Sequence, residues 1–186
     1  MNYLDVYTNS FNTSSYSASH HVQYDYVIDA LKSRYQPDSV FSIIDIGSGR
    51  GQLIALIRST FKNSVITSVD LHKFHPYEVN TFITCDLSNN NDRNKITGTY
   101  DVVVSTDVFE HLDKSFINDI ITMCSRLSNT CIFAIANHSD IINGIELHTI
   151  QEPHTYWNAL LEPYFTIQEI KIMYDNQLYL YNCITH

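Results

Sequence analysis

Residues Ile43 to Leu53 read IIDIGSGRGQL. An apolar run, expected to be a strand, passes through Asp45 into glycines at positions 47, 49 and 51 and then into residues with helical spacing. Alternating glycines let the backbone turn sharply and approach a ligand more closely than a Cβ would permit. A helix that begins there turns the positive end of its dipole toward that ligand. The stretch therefore reads as a nucleotide-cofactor loop. The dinucleotide fingerprint needs G-x-G-x-x-G, and here the third position of that pattern is Gln52, which weighs against a nicotinamide oxidoreductase.

Downstream residues extend the pattern. Val65 to Asp70 (VITSVD) is a second strand ending on a carboxylate about 20 residues past the glycines, where it can accept bonds from both ribose hydroxyls of a nucleoside. Phe82 to Asp86 (FITCD) reads as a third strand ending on Asp86. Asp101 to Ser105 (DVVVS) has the valine run of a buried parallel strand, and Thr106-Asp107-Val108-Phe109-Glu110-His111-Leu112 follows it. That polar cluster falls where ligands bind in open α/β sheets, outside the carboxyl ends of the strands.

The sequence D-I-G-S-G-R-G resembles the first motif of the class I S-adenosylmethionine (SAM) dependent methyltransferases, and DVFEHL resembles the fourth motif of their small-molecule members. The resemblance runs from Asp45 to Leu112. It implies an α/β fold, a Rossmann-like seven-stranded sheet of order 3-2-1-4-5-7-6 with an antiparallel last strand and helices on both faces. It also implies SAM as cofactor, held by Asp45, Gly47, Ser48, Gly49, Gly51, Asp70, Leu71, Asp86, Leu87 and Thr106. Asp86 matches the position that family members place near the adenine amino group.

A methyl on a sulfonium mainly needs a nucleophile aligned in line with it, and orientation alone is worth up to ~7 to 11 kcal/mol. A base is required only for a weak nucleophile such as a hydroxyl. His111 titrates near neutrality and follows the fourth strand, which makes it the candidate base. The alternative is that Glu110 and His111 cap and anchor the next helix. Asp107-x-x-Glu110-His111 also resembles the E-x-x-E-H motif of small-RNA 2'-O-methyltransferases and of some quinone-pathway O-methyltransferases, with Asp for the first Glu. That resemblance implies a divalent cation (Mg, Mn or Zn) on Asp107, Glu110 and His111, with His148 or His138 completing the shell. Compact methyltransferases build the acceptor pocket between the fifth strand and the next helix. This region holds His138, His148 and Trp157, with His148 the second catalytic candidate and Trp157 either a pocket or a core residue.

Three functions follow. The first is methyl transfer from SAM to a small molecule, preferably at oxygen. The second is a SAM- or S-adenosylhomocysteine-binding regulatory or partner subunit without turnover. The third is metal-assisted 2'-O-methylation of RNA, against which the net charge of -9 and scattered lysines and arginines count.

The 186 residues read as one domain (1-186), with residues 1-19 as a Ser-, Asn- and Tyr-rich arm of the kind that closes over the cofactor in related enzymes. Tyr3, Tyr7 and Tyr16 are expected to pack that arm down in preference to stacking on or hydrogen-bonding a ligand, and His20 and His21 to cap it in preference to contacting the cofactor. Helices are expected from Val22 to Leu31, from Leu53 to Phe61, over Pro76 to Val79, and from Phe116 to Leu127. Another is expected from Pro153 with Tyr156, Leu160, Leu161 and Phe165 buried and His154 solvated. Asn89 to Asn94 reads as a polar loop, Ile132 to Ala136 as the fifth strand, and Ile167 to Met173 with Leu178 to Ile184 as a terminal hairpin. Cys85, Cys124, Cys131 and Cys183 lack ligand or disulfide spacing and read as buried thiols of a cytoplasmic protein. No apolar run is long enough for a bilayer, and a homodimer is compatible with the edge strands.

Overall fold

The computed structural model describes residues 8, 21–142 and 144–186. Apart from Thr8, the N-terminal arm with Tyr3, Tyr7 and Tyr16, and His20, lies outside the described residues. Helix α1 (Val22–Lys32) leads to β1 (Ser42–Ile46), α2 (Gln52–Thr60), β2 (Val65–Asp70), β3 (Thr81–Thr84) and the short α3 (Asn90–Arg93). Then come β4 (Val102–Thr106), a 3-10 turn (Phe109–His111), α4 (Lys114–Leu127), β5 (Thr130–Ala136) and a two-stranded ribbon of β6 (Ile141–Ile142) and β7 (Ile145–Glu146). Helix α5 (His154–Leu161) and the hairpin β8 (Phe165–Met173) and β9 (Leu178–Thr185) end the chain.

The main sheet runs β3-β2-β1-β4-β5-β9-β8. Strands β1 to β5 are parallel, β9 is antiparallel to β5, and β8 is antiparallel to β9. With the small ribbon set apart, this is the expected 3-2-1-4-5-7-6 order. The parallel strands have apolar residues on both faces because both faces are covered. On one face Val27, Leu31, Ile54 and Ile57 of α1 and α2 pack on Ile43, Val102, Val104 and Ile132. On the other, Ile120, Cys124, Trp157 and Leu161 of α4 and α5 pack on Ile44, Val103, Cys131 and Phe133.

Packing, more than propensity, holds α4. Its β-branched and short polar residues each cost up to ~0.7 kcal/mol against alanine in a helix. Burying Ile117, Ile120, Ile121 and Leu127 returns about 1.5 to 3 kcal/mol apiece. Asp113 begins the helix by accepting the Ser115 N–H at 2.8 Å.

Some local expectations change. Pro76 to Val79 is not helical, and His75 is instead drawn under the glycine loop. Asn89 caps a one-turn helix inside the expected polar loop, accepting the Asn91 N–H at 2.9 Å. Phe165 is buried as the first residue of β8 and not as the end of α5. His154 is half-buried, its ring edge-on to Tyr179 at 5.9 Å. All four cysteines are buried free thiols.

Candidate functional site

Because β1, β2, β4 and β5 are parallel, their carboxyl ends deliver four loops to one edge of the sheet. The strand order reverses between β1 and β4, which opens a crevice there. A cavity of about 880 Å³ occupies it, toward the upper end of the roughly 300 to 1,000 Å³ of small-molecule sites.

The glycine loop forms its floor. Gly47, Gly49 and Gly51 have φ of 78°, 50° and 74°, the left-handed region that L side chains avoid. A Cβ on Gly47 would come within 2.3 Å of Val108 Cγ2, so close approach of the β4 loop also demands glycine. Gly51 is the N-cap of α2, and its Cβ would strike His75 and Tyr77 at 2.7 and 2.8 Å. Asp70 grips the loop from β2, accepting the Gly49 N–H with Oδ2 and the Leu71 N–H with Oδ1, each at 2.7 Å. Burial still raises its carboxyl to about 6, against those two bonds.

Asp45 differs in having no hydrogen-bond partner among the described residues. Both carboxyl oxygens are buried without a hydrogen bond, yet the residue lines the cavity. Burial, and then the neighbouring Asp70, push its carboxyl up to about 7. A buried unpaired carboxylate costs several kcal/mol unless neutralised, so the site calls for a cation or donor from a ligand. Ser48, Leu71, Asp86, Leu87 and Thr106 line the same cavity; Gly51 does not, and serves the packing of the loop. Asp86 turns its Oδ1 to the Ser88 N–H and hydroxyl at 2.9 and 2.7 Å.

The opposite wall carries imidazoles. Asp107, with φ 54°, swings the chain out of β4, and the 3-10 turn then buries Glu110 and brings His111 to the cavity. Glu110 Oε1 accepts the Ala136 N–H at 3.0 Å, and its backbone carbonyl accepts the Ile150 N–H at 3.0 Å. Glu110 thus pins the end of β5 to the segment before α5, while its Oε2 has no partner among the described residues. Burial and then the charge of Asp107 drive its carboxyl well above the usual range.

His111 Nδ1–H donates to the Leu147 carbonyl at 3.1 Å, which leaves the lone pair on Nε2. Burial, then His148, lower its pKa to about 3. His148 Nδ1 donates to the His138 carbonyl at 2.6 Å, and burial lowers its pKa too. The His148 ring lies 4.6 Å from that of His111 and 4.7 Å from that of His138.

A carboxylate oxygen of Glu110 and a ring nitrogen from each of His111 and His148 lie within 4.8 Å of one another, close enough to share a metal ion. Asp107 stands outside that group, its Oδ2 accepting from Gln23 Nε2 at 2.5 Å. Glu110 lies behind the cavity wall and does not line it. Trp157 is fully buried beside Phe109 and is a core residue.

Sequence reasoning missed Gln23 and Tyr24, which reach the cavity from α1, and the ribbon residues Ile141 and Ile142. It preferred a cap to a cofactor contact for His21. His21 occupies the N-cap position of α1 without a side-chain capping bond, and it lines the cavity. The pattern H-V-Q at the start of an amphipathic helix was the available signal, but nothing local says which end of the sheet that helix meets.

No protein-family model and no curated protein sequence matches the chain. Solved structures do. TehB from Haemophilus influenzae superposes with a TM-score of 0.67 at 18% identity, over 98% of this chain and 66% of TehB. Magnesium protoporphyrin IX methyltransferase from Synechocystis PCC 6803, with bound SAM, gives 0.70 at 15% identity over 100% of this chain and 98% of that one. The fold is that of the class I methyltransferases. The 1,6-didemethyltoxoflavin-N1-methyltransferase of Burkholderia thailandensis, crystallised with S-adenosylhomocysteine, shares this methyltransferase fold at a TM-score of 0.69 and 15% identity, over 99% of this chain and 85% of its own. Among the described residues no helix is long and apolar enough to cross a membrane.

Proposed function

We propose that this chain binds SAM in the crevice and catalyses transfer of its methyl group to a small molecule, at an oxygen nucleophile, with His111 as base. The observation that carries the reading is Asp45: a fully buried, unpartnered carboxylate at the mouth of a glycine loop whose geometry excludes side chains. The α-ammonium of SAM supplies the missing positive partner, and Asp70, whose two oxygens already accept the Gly49 and Leu71 N–H groups, accepts from the ribose hydroxyls with its remaining lone pairs. Asp86, Leu71 and Leu87 border the adenine end, and Thr106 stands between the two ends.

Bound SAM supplies an activated methyl on a sulfonium. The protein aligns the acceptor, excludes water and removes a proton. A neutral His111 with Nδ1–H fixed on Leu147 presents Nε2 as the proton acceptor, and His148 stands beside it to contact the acceptor molecule. A pKa near 3 makes His111 a weak base in the resting site, so proton removal accompanies methyl transfer and does not precede it.

Glu110, His111 and His148 favour a second, metal-assisted reading. Oε2 of Glu110 lacks a partner among the described residues, and two imidazoles and a carboxylate suit Zn, Mn or Mg. Such an ion would lower the pKa of the acceptor hydroxyl and relieve His111 of the base role. The reading for RNA is disfavoured by a cavity bordered by six aspartates and one arginine, Arg50.

The deciding experiment is calorimetric titration of the purified, ligand-stripped protein with SAM, S-adenosylhomocysteine and NADH, followed by an acceptor screen with and without chelator. Binding of the two adenosyl ligands alone, then transfer, is the expected result. NADH binding without SAM binding would overturn the proposal. Adenosyl binding with no transfer under any condition would make the chain a binding subunit.

A further inference from the structure

Beneath the glycine loop runs a buried polar chain that the roles above leave unused. His75, 4% exposed, lies in the segment between β2 and β3. Its Nε2 is 3.1 Å from Ser68 Oγ on β2, and Ser68 Oγ donates to Ser48 Oγ at 2.6 Å. Ser48 stands between Gly47 and Gly49 and borders the cavity.

A hydroxyl has a single hydrogen. Since that of Ser68 goes to Ser48, the His75 contact is one in which Nε2–H donates and Ser68 accepts. The Ser48 oxygen is then already accepting from inside the protein, and its own hydrogen has no acceptor among the described residues. The direction holds for the protonated imidazole and for the neutral Nε2–H tautomer; with the hydrogen on Nδ1, Nε2 would accept from Ser68 and the chain would run the other way. The imidazole is also locked in place. It sits where a Gly51 Cβ would be, with His75 Cγ 2.8 Å from that position, and it stacks on Tyr77 at 6.2 Å.

We infer that His75 is a positioning residue which, through Ser68, makes the Ser48 hydroxyl a donor to the carboxylate at the amino-acid end of the cofactor. The inference rests on the cofactor reading above. Asp45, three residues before Ser48, meets the ammonium of the same amino acid, so one short loop offers opposite partners to its two charges. The backbone fixes that spacing, since the Gly47 and Ser48 N–H groups both donate to the Val69 carbonyl, at 2.8 and 3.1 Å.

The test uses two ligands that differ in the group concerned: S-adenosylhomocysteine, and 5'-methylthioadenosine, which keeps the adenosine and thioether but lacks the amino acid. A hydrogen bond to a charged group is worth enough that Ser48→Ala and His75→Phe should each weaken S-adenosylhomocysteine roughly 10-fold, with less than about a 2-fold change for 5'-methylthioadenosine. His75→Gln, which keeps a donor near the Nε2 position, should restore most of the loss. The double variant should be no weaker than Ser48→Ala, because the two act in one chain.

Equal losses for both ligands would reduce His75 to structural support and overturn the inference, as would full affinity in His75→Phe. Should His75→Phe fail to fold, Ser68→Ala cuts the same link with the imidazole in place, and the two-ligand comparison on that variant decides. A wild-type chain that binds no S-adenosylhomocysteine would remove the cofactor reading itself, an outcome distinct from any result on the variants.

Discussion

At neutral pH the His111 imidazole is uncharged, because burial holds its pKa near 3, and the Leu147 carbonyl fixes which nitrogen carries the hydrogen. His111→Ala should therefore lower kcat on the order of 10²-fold or more while changing S-adenosylhomocysteine affinity by less than about 2-fold, read by steady-state kinetics and calorimetry. Unchanged turnover would remove the base role. Glu110 separates stability from chemistry. Burial raises the pKa of its carboxyl, and Glu110→Gln, which is uncharged and keeps an oxygen to accept the Ala136 N–H, should melt within about 2 °C of wild type. Glu110→Ala leaves a buried donor unpaired and a void, and should cost about 2 to 4 kcal/mol in denaturant unfolding. If a metal is used, Glu110→Gln should abolish chelator-sensitive activity without that loss of stability; activity equal to wild type in both variants would exclude the metal reading.

At the scale of elements, the strand-to-helix turn from β1 to α2 works because three other segments close on it: the β2 end through Asp70, the β2–β3 segment through His75, and the β4 loop through Val108. Gly47→Ala combines positive φ with a contact to Val108. The backbone contribution alone is roughly 1 to 3 kcal/mol, and S-adenosylhomocysteine binding should fall more than about 10-fold as the loop shifts. Val108→Ala removes the contacting methyl and should recover part of that affinity. Gly98 also has positive φ but meets nothing within 4 Å, so Gly98→Ala should lose stability alone, with ligand affinity intact. Equal affinity loss in both alanine variants would mean that backbone strain, and not the close approach at Val108, is what the loop cannot accept.

For the whole molecule, the buried groups set two opposing pH dependences. Asp45 rises from 3.8 to about 7 and Asp70 to about 6, and Asp107 and Glu110 are raised as well. Between the ordinary value and the raised one the folded chain holds more protons than the unfolded chain, so these groups make stability fall as pH increases. His111, His148 and His75 are lowered from 6.5, so the unfolded chain holds more protons below that value and stability rises with pH. The two sets overlap, and the melting temperature of the ligand-free chain, in chelator, should change little between about pH 4.5 and 6.5. On the proposed reading, cofactor binding engages only Asp45 and Asp70 among these groups. S-adenosylhomocysteine affinity should rise from about pH 5 to 7.5 with release of protons, seen as a dependence of calorimetric enthalpy on buffer ionisation. Affinity that is flat with pH would mean that Asp45 keeps its proton and does not meet the ammonium.

The parallel core, its strand order and the crevice were legible because their signals are local or repetitive: an apolar run into alternating glycines, carboxylates closing strands, and helical spacing between them. The terminal hairpin was legible through its turn, where Tyr174, Asp175 and Asn176 all take positive φ. Residue contacts across the sheet edge were not. Glu110 and His111 are adjacent in sequence, yet one is buried behind β5 and the other borders the cavity, because a 3-10 turn rotates successive side chains apart. Asp107 stands outside the metal-type group and pairs with Gln23, a partner 84 residues away, and His75, just before the segment expected to be a short helix, meets Ser68. The sequence by itself determined the fold and the place of its glycine loop, since backbone periodicity and glycine geometry are properties of short segments. Only the tertiary structure decided which polar atoms face one another, since burial and distance between remote segments set both pairing and protonation.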